Sequence, residues 1–364
     1  MTFPTPDPRV LARREGGLGT ITLNRPEAIN ALDVGMIEAI AGLLAAWRDD
    51  PDVQVVLFDG AGERGFSSGG DVRGLHASLA RGDASGPDRF FRAEYTMNAA
   101  IGEYAKPVVA FADGVTMGGG IGIAGHAHVR VVTERSQLAM PETRLGFTPD
   151  AGGSWLLGRA PGRVGEFLAL TSWVMGPADA IHAGFADHLV PAVRLPSLRE
   201  ALTTRADPST PTELVLLFDE TPEAGPIERA RPWIDDAFAA DTVPEILERL
   251  QALADAGTGD GDEVSPRAVL GALADRAPVG LTVSLAAVRS SRALPGLRAA
   301  LEQEYGLVTW FMATQPDLPE GIRAQLVDRD RAPRWSPPSL AGVPADLVGE
   351  AFAHEPERRL FAVD

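Results

Sequence analysis

The sequence predicts an α/β core followed by a mainly helical C-terminal region. Short apolar runs such as VQVVLF (53–58) and PVVAFA (107–112) are typical of buried strands in a largely parallel sheet. A glycine-rich loop and a helical pattern follow each run, and this alternation indicates an α/β core. Later in the chain, helical patterns separated by Pro and Gly replace the strands. We therefore predict an α/β core over 1–205 and a helical region over 206–364.

The individual elements follow from hydrophobic periodicity. In the core we expect further strands at GTITL (19–23), HVRVV (128–132), QLAM (137–140) and DHLVP (187–191). We expect helices over 36–47, from near Asp71, and over about 87–104, 120–127, 154–170 and 177–186. The first of these helices carries an apolar face of Met36, Ile37, Ile40, Leu43, Leu44 and Trp47. The C-terminal helical patterns are PTELVLLF, EILERLQALADA, PRAVLGALADR, LTVSLAAV and LRAALEQEYGLVTWFMA. Between them, ADAGTGDGDEVSP (254–266) is expected to be a hinge or a disordered loop.

The composition excludes several classes of function. The chain has 364 residues, no cysteine and a formal net charge of −17, so thiolate chemistry is excluded and nucleic-acid binding is disfavoured. No apolar run reaches the roughly 18 residues that a membrane span needs. The first residues, MTFPTPDPRV, lack the basic and apolar regions of a secretory signal, so we expect a cytoplasmic protein.

One glycine motif suggests a serine hydrolase. GFSSG (65–69) matches G-x-S-x-G with Ser67 as the nucleophile. A nucleophile elbow, however, needs a strand that leads straight into the serine and a histidine late in the chain. Here six loop residues separate the predicted strand from Gly65, and the late histidine is His354 in a charged tail. The motif is therefore weak.

A second glycine motif suggests a dinucleotide site. GIGIAG (120–125) matches G-x-G-x-x-G, and Glu142 follows Gly122 by twenty residues. The motif does not follow its strand directly, because DGVTMGG intervenes, so this match is also weak.

Metal sites are not expected at His126 and His128, which lack a ligand cluster. Asp260 and Asp262 begin a calcium-like pattern that fails at the next ligand position.

The two glycine loops can also be considered together. SSGGD (67–71) and TMGGGIG (116–122) each place glycines after a strand and at the start of a helix. Helix N-termini present unpaired N–H groups, so two of them could form an oxyanion hole. Alternatively, the glycines only allow close packing of helices. The residues alone leave both interpretations open.

Two acids stand out in PETRLGFTPDAGG (141–153). Glu142 and Asp150 are eight positions apart, and no other acid lies between them. A pair of carboxylates can divide acid and base roles if their environments separate their pKa values. By themselves these two acids identify no reaction.

Longer segments resemble a known family. NRPEAINAL (24–32), GFSSGGDV (65–72) and residues 112–153 are similar to the crotonase superfamily, and more narrowly to its 3-hydroxyisobutyryl-CoA hydrolase branch. VPEILERLQ, SPRAV, EQEYGL and LPEGIRAQLVDRDRAPRW extend the resemblance over nearly the whole chain. The resemblance implies a ClpP/crotonase-like spiral β-β-α core with an added helical C-terminal region.

The resemblance also implies a binding site for an acyl-CoA thioester. The amides of Gly70 and Gly119 would hold the carbonyl oxygen, and substrate contacts are implied at Glu94, Gly69, Asp71 and Gly118. The CoA end is expected at Arg25 and Ala28 in NRPEAIN. There Glu27 stands where many relatives carry a basic residue, which leaves side-chain contact with the CoA phosphates open. CoA is part of the substrate, so no separate cofactor and no metal are expected.

The acids distinguish the reactions of the family. Hydratases of the superfamily use two glutamates, and the first of these positions is Gly122 here, which cannot transfer a proton. Glu142 occupies the second position, and Asp150 matches an aspartate that the hydrolase branch adds. The implied reaction is hydrolysis of 3-hydroxyisobutyryl-CoA in valine breakdown, with Glu142 as general base or nucleophile and Asp150 orienting water or the 3-hydroxyl.

Two alternatives stay open from the sequence. One is an enoyl-CoA hydratase or isomerase in which Asp150 takes over the work of the missing acid. The other is a scaffold that binds acyl-CoA or a protein without turnover, which retention of both acids and both glycine loops disfavours. The superfamily often forms trimers, so we expect a homo-oligomer, a trimer or smaller, unless the C-terminal helices cover that surface.

Overall fold

The computed structural model describes residues 1–81, 85–204 and 210–361, and their backbone forms two compact units. The first unit comprises 1–71, 92–138 and 174–223, and the second comprises 72–91, 139–173 and 224–364. The domain boundary predicted near residue 205 lies outside the described residues. The division into 1–205 and 206–364 therefore stays a prediction.

The first unit is built around a mostly parallel sheet. Strands of the described residues are β1 (Thr2–Phe3), β2 (Val10–Glu15), β3 (Leu18–Leu23), β4 (Val55–Gly60), β5 (Val108–Ala112), β6 (Val115–Met117), β7 (Val129–Val132), β8 (Gln137–Ala139) and β9 (His188–Leu189). Seven of them form one sheet in the order β1-β2-β3-β4-β5-β7-β9, while β6 pairs with β8. All pairs from β3 to β9 in the large sheet are parallel, and the two pairs at the N-terminal edge are antiparallel. The prediction of a largely parallel sheet is confirmed.

Helices cover this sheet because its strands are apolar on both faces. The helices of the first unit are Val34–Arg48, the part of Ser85–Gly102 from residue 92 onward, Gly119–Ala124, Pro177–His182, Leu195–Thr204 and Pro211–Leu216. Leu57, Val109 and Val131 of three adjacent strands are fully buried in one cluster with Leu198 and Leu202. The six-residue apolar face predicted between Met36 and Trp47 is also buried.

The second unit is mainly helical, as the C-terminal patterns predict. Its α-helices in the described residues are Val72–Ala80, the first turns of Ser85–Gly102, Gly153–Arg159, Val164–Thr171, Pro226–Ala237, Val243–Asp255, Pro266–Ala274, Pro278–Ser291, Leu297–Thr314, Asp317–Ile322 and Leu347–Ala353. Edge-to-face aromatic pairs occupy its core: Phe147 with Phe311 at 5.3 Å, and Phe167 with Phe238 at 5.7 Å between ring centroids. No helix within the described ranges combines the length and the apolar character that crossing a bilayer requires.

Three predictions of secondary structure need correction. The helix predicted over 154–170 is two helices, because the chain leaves the helical conformation at Ala160 and Gly162 has a φ of +57°. The segment 254–266 contains hydrogen-bonded turns rather than a disordered loop, since Thr258 N–H donates to Leu253 O (3.0 Å) and Asp262 N–H donates to Gly259 O (2.9 Å), and a hinge there stays a prediction. Part of the second glycine loop forms β6, which no apolar run indicated.

Asn30 organises the loop that follows β3. This fully buried residue has a φ of +53°, and its Nδ2 donates to the carbonyls of Ala61, Gly65 and Phe66 at 3.0, 3.1 and 3.0 Å. Its Oδ1 accepts from the amide of Arg25 at 2.8 Å. One side chain thus joins the NRPEAIN loop to the first glycine loop.

Replacing Asn30 should therefore destabilise the protein strongly. Asn30→Ala leaves three carbonyls without this donor, two of them in buried hydrogen bonds, and alanine tolerates positive φ less well than asparagine does. We therefore expect a loss of about 2–4 kcal/mol in unfolding free energy. Urea denaturation measures this loss. The control Asn24→Ala removes a single long hydrogen bond, to Pro8 O at 3.4 Å, and should cost less than about 0.5 kcal/mol. Equal losses in the two variants would contradict this role of Asn30.

Candidate active site

The two glycine loops of the first unit are joined by their main chains. Ser67 and Thr116 form a parallel β-bridge. Ser67 N–H donates to Val115 O at 3.1 Å, and Met117 N–H donates to Ser67 O at 2.9 Å. The residues that follow, Gly69 and Gly70 in one loop and Gly118 and Gly119 in the other, are therefore held side by side.

Glycine is required where the two loops meet. Gly69 has a φ of +93°, and a β-carbon there would lie 2.8 Å from Met117 O and 3.2 Å from Gly119 N. A β-carbon on Gly119 would lie 3.4 Å from Gly70 N and 2.1 Å from Oε1 of Glu94. A side chain on Gly119 would therefore crowd the Gly70 amide, and a side chain on Gly69 would crowd the Gly119 amide.

The amides of Gly70 and Gly119 are the groups predicted to hold a carbonyl oxygen. Gly119 begins the helix Gly119–Ala124, and the first N–H groups of a helix have no intrahelical acceptor. Within the described ranges, no acceptor is found for the N–H of either glycine. Two such donors on adjacent loops are the arrangement that stabilises an oxyanion.

Glu94 lies beside these glycines, as the prediction of a substrate contact requires. It stands on the helix Ser85–Gly102 and is 1% exposed. Its Oε1 is the atom that a side chain on Gly119 would meet first. A carboxyl group thus borders the space next to the Gly119 amide.

The predicted CoA contacts lie in the NRPEAIN loop. Arg25 forms salt bridges with Asp71 (Nη1 to Oδ2, 2.8 Å) and with Glu27 (Nε to Oε1, 3.8 Å). Asp71 therefore stabilises the NRPEAIN loop in addition to preceding the helix Val72–Ala80. The N–H of Ala28 donates to Arg25 O at 3.0 Å, and its carbonyl accepts from Ser68 Oγ at 3.0 Å. Both residues hold the loop in shape, and their contact with CoA stays a prediction.

Arg64 is a basic residue of this region that the sequence analysis missed. Its Nη2 donates to Pro26 O at 2.7 Å and to Glu27 O at 2.6 Å, and its side chain is exposed. Arg64 therefore brings a positive charge to the loop where Glu27 lacks one. Arg64 lies in the first glycine loop, about forty residues after NRPEAIN, so no local sequence motif could have linked the two.

Glu142 and Asp150 lie together in one irregular segment of the second unit. Glu142 begins the 3₁₀-helix Glu142–Leu145 and is 5% exposed, while Asp150 is 8% exposed. The carbonyl of Glu142 accepts from Phe147 N–H at 3.1 Å, and that of Asp150 accepts from Gly153 N–H at 2.7 Å. Neither acid is a solvated surface group, so the segment is not an incidental acidic loop.

Glu304 is a third buried acid of the second unit, and the sequence analysis did not single it out. It is 0% exposed, and its two oxygens accept from Gly152 N–H at 2.6 Å and Ser154 N–H at 2.8 Å. Burial raises the pKa of Glu304 to about 8, and the charge of Asp150 adds to the rise. The only sequence signal was a charged residue within an otherwise apolar helical face.

The competing motifs have structural explanations. Ser67 is fully buried, and its Oγ donates to Asn30 O at 3.0 Å and accepts from Gly69 N–H at 3.2 Å, which is unlike an exposed nucleophile. His128 accepts from Val108 N–H through Nδ1 at 3.0 Å. In the described part of the chain, no group of three or more acidic, histidine or cysteine side chains is placed to hold a metal ion.

Comparison with known proteins identifies the family. The sequence profile of the Enoyl-CoA hydratase/isomerase family matches residues 18–352. The chain belongs to this family. The relatives of this chain include mitochondrial 3-hydroxyisobutyryl-CoA hydrolases. The Gallus gallus protein is 36% identical over 94% of this chain and 88% of the relative, and the Rattus norvegicus protein is 37% identical over 97% and 90%.

Solved structures of the family confirm the fold class. A carnitinyl-CoA dehydratase from Mycobacterium thermoresistibile is 40% identical, covers 98% of this chain and 99% of its own, and has a TM-score of 0.89. An enoyl-CoA hydratase from Rhodobacter sphaeroides 2.4.1 is 38% identical, covers 95% and 97%, and has a TM-score of 0.85. The predicted crotonase-type α/β fold with helical C-terminal region is therefore correct.

Glu304 should make stability fall as the pH rises. Its pKa is about 8 in the folded protein against an ordinary value of 4.5, so the folded state holds a proton that the unfolded state releases between these values. Between pH 6.5 and 8 we expect the unfolding free energy to fall by up to about 1.4 kcal/mol per pH unit. Glu304→Gln should remove this slope in urea denaturation.

Other buried groups are removed from the comparison by the pH window and by the use of the variant. Burial raises the pKa of Asp317 to about 6, so this group titrates mostly below the window. Burial lowers the pKa of His128 below the 6.5 of the unfolded state, and this contribution is the same in wild type and Glu304→Gln, so it cancels when the two slopes are compared. A slope between pH 6.5 and 8 that is the same in wild type and Glu304→Gln would contradict the raised pKa of Glu304.

Proposed function

We propose that this protein hydrolyses the thioester of 3-hydroxyisobutyryl-CoA, or of a closely similar short 3-hydroxyacyl-CoA, to the free acid and CoA. The observation that carries the proposal is the pair of buried carboxylates Glu142 and Asp150, combined with glycine at position 122. Relatives at 36–37% identity that are named 3-hydroxyisobutyryl-CoA hydrolases support it. The matched residues extend over nearly the whole chain.

In this reaction the amides of Gly70 and Gly119 stabilise the oxyanion. Attack on the thioester carbon moves an electron pair onto the carbonyl oxygen, and preorganised N–H donors lower the energy of that charge by about 3 kcal/mol each. The open amides and the close approach that glycine permits support this assignment. A backbone donor also keeps its proton at every pH of interest.

Glu142 activates the attacking group. As general base it removes a proton from water while the water oxygen bonds to the carbonyl carbon; as nucleophile it forms an anhydride that water then opens. In either route the carbon–sulfur bond breaks and the CoA thiolate receives a proton. Asp150 orients the water or the substrate 3-hydroxyl, and Glu94 contacts the acyl part.

Hydration of an enoyl-CoA is the second candidate, and the names of the two solved relatives favour it. That reaction needs acid and base groups on both ends of a double bond. The hydratase acid nearest the second glycine loop corresponds to Gly122, which has no titratable side chain. For this reason we place hydrolysis first.

The wider setting stays a prediction. A place in valine breakdown follows from the substrate named for the relatives. The same relatives are named mitochondrial, whereas the composition of this chain led us to expect a cytoplasmic protein. A homo-oligomer of three or fewer subunits remains the expected assembly.

One pair of assays separates the two reactions. We expect wild type to release free thiol from 3-hydroxyisobutyryl-CoA and to leave the enoyl absorbance of crotonyl-CoA almost unchanged. Glu142→Gln keeps the shape but removes the base, so kcat for thiol release should fall by roughly 1000-fold, and Asp150→Asn should lower it by about 10- to 100-fold. The exposed Glu248→Gln is the control and should keep wild-type kcat. Hydration without thiol release would reject the proposed function.

A glycine substitution tests the oxyanion donors. The β-carbon of Gly119→Ala would crowd Glu94 and the Gly70 amide, so we expect kcat for thiol release to fall by about 100- to 1000-fold. Gly42→Ala is the matched control, because nothing lies within 4 Å of its β-carbon position on an exposed helix surface. This control should keep kcat and gain up to ~1 kcal/mol in stability. Because alanine keeps the main-chain N–H, the variant tests the space in front of the two amides, and full activity of Gly119→Ala would contradict the placement of the thioester carbonyl there.

A further inference from the structure

The backbone just after Asp150 has an unusual conformation. Ala151 and Gly152 have φ values of +54° and +78°, so two consecutive residues are left-handed. For alanine this conformation costs about 1–2 kcal/mol, because its β-carbon crowds the following carbonyl. Gly153 N–H closes the turn on Asp150 O at 2.7 Å. Asp150 therefore stands at the first position of a strained turn that the surrounding structure has to hold.

Glu304 holds this turn from the other side. Its Oε2 accepts from Gly152 N–H at 2.6 Å, and its Oε1 accepts from Ser154 N–H at 2.8 Å. The amide between them, that of Gly153, is the one bound by the Asp150 carbonyl. Three successive amides are thus fixed, two by Glu304 and one by Asp150. They form the N-terminus of the helix Gly153–Arg159, where the unpaired N–H groups and the helix dipole favour a carboxyl group.

The helix that carries Glu304 is a rigid platform. Leu297–Thr314 is eighteen residues long, and Leu301, Tyr305 and Val308 around Glu304 are at most 1% exposed. The hydroxyl of Tyr305, next to Glu304, donates to the carboxylate of Asp88. A carboxyl group on this helix consequently has little freedom to move away from the turn.

Placing Glu304 here is costly for folding. Its oxygens accept from main-chain amides and, among the residues that the structure describes, from no arginine or lysine, although a fully buried carboxyl normally needs a cation or loses its charge. Another fully buried acid of the same unit, Glu166, has Arg163 at 2.8 Å and Arg292 at 2.7 Å. A stability cost of this kind is retained where function benefits from it.

We propose that Glu304 is a positioning residue for Asp150: its carboxyl group clamps the left-handed turn 150–153, and this fixes the direction of the Asp150 side chain during catalysis. This inference rests on the proposed function for the role of Asp150, but the clamp itself does not depend on it. Without these two hydrogen bonds, Ala151 relaxes toward negative φ, and the Asp150 carboxyl group moves away from the position in which it orients water or the substrate 3-hydroxyl. A displacement of about 1 Å in a catalytic group lowers a rate by as much as 100-fold.

A double-mutant cycle on thiol release tests the coupling. Glu304→Gln keeps the size but turns one acceptor into a donor that faces an amide N–H. We expect kcat to fall by roughly 10- to 100-fold with KM within about threefold of wild type. In the Asp150→Asn background, the same substitution should lower kcat by less than about twofold, because the group being positioned is already disabled. Equal effects in both backgrounds would overturn the proposal.

A matched control separates positioning from loss of stability. Glu166→Gln changes an equally buried acid in the same unit and should lower the urea midpoint while leaving kcat within about twofold. If Glu304→Gln does not fold, Glu304→Asp replaces it: the acid is kept but withdrawn by one methylene. It should give a smaller fall in kcat that again disappears in Asp150→Asn.

Hydrogen exchange tests the clamp without any assay of activity. In Glu304→Gln, or in Glu304→Asp if that variant has to replace it, the amides of Gly152 and Ser154 should exchange at least about tenfold faster than in wild type, whereas Glu166→Gln should not change them. If wild type releases no thiol, the proposed function fails and the exchange experiment still decides whether the clamp exists. Unchanged exchange at these two amides would overturn the proposal whatever the enzyme assays give.

Discussion

The main-chain bridge between Ser67 and Thr116 is the interaction on which the first unit's site depends. Two hydrogen bonds, Ser67 N–H to Val115 O and Met117 N–H to Ser67 O, fix the relative register of two loops that are about fifty residues apart. The register brings the Gly70 and Gly119 amides to adjacent positions. Because the bridge consists of main-chain hydrogen bonds, the loops are held together without any side chain at the glycine positions.

In the second unit the main constraint is the burial of carboxyl groups. Glu142 and Asp150 are both less than a tenth exposed, and the segment between them has little regular structure beyond one 3₁₀-turn. Such a segment keeps its shape through contacts from elsewhere in the chain. Glu304 supplies one of these contacts from a long helix, at the point where the backbone is most strained.

The sequence predicts those helices and strands whose formation depends on residues close to one another in the chain. Apolar runs located β3, β4, β5 and β7, and helical periodicity located Val34–Arg48 and five later helices, Pro211–Leu216, Val243–Asp255, Pro266–Ala274, Pro278–Ser291 and Leu297–Thr314. The patterns missed the C-terminal helices Pro226–Ala237, Asp317–Ile322 and Leu347–Ala353. They missed β1, a two-residue strand at the sheet edge, and β2, in which buried and exposed residues alternate so that no apolar run forms. They also missed β6, which is held by a partner strand rather than by its own composition. Glu304 was missed for the same reason, because its contacts lie about 150 residues earlier in the chain. The family resemblance, which spans long segments, named the glycines and acids that periodicity could not.

The choice of donors and acids follows from one electrostatic requirement. A cation placed to stabilise an oxyanion would also pair with a nearby carboxylate and lower its pKa, which weakens it as a base. In the proposed reaction, backbone amides would stabilise the oxyanion without carrying a net charge, so the pKa of the glutamate that acts as base would not be lowered by a cation. The single lysine of the chain, Lys106, donates to the carbonyls of Trp47 and Asp50 at 2.5 and 2.7 Å and so stabilises the main chain there. A strongly acidic protein can thus catalyse a reaction with an anionic transition state, provided that neutral dipoles do the stabilising.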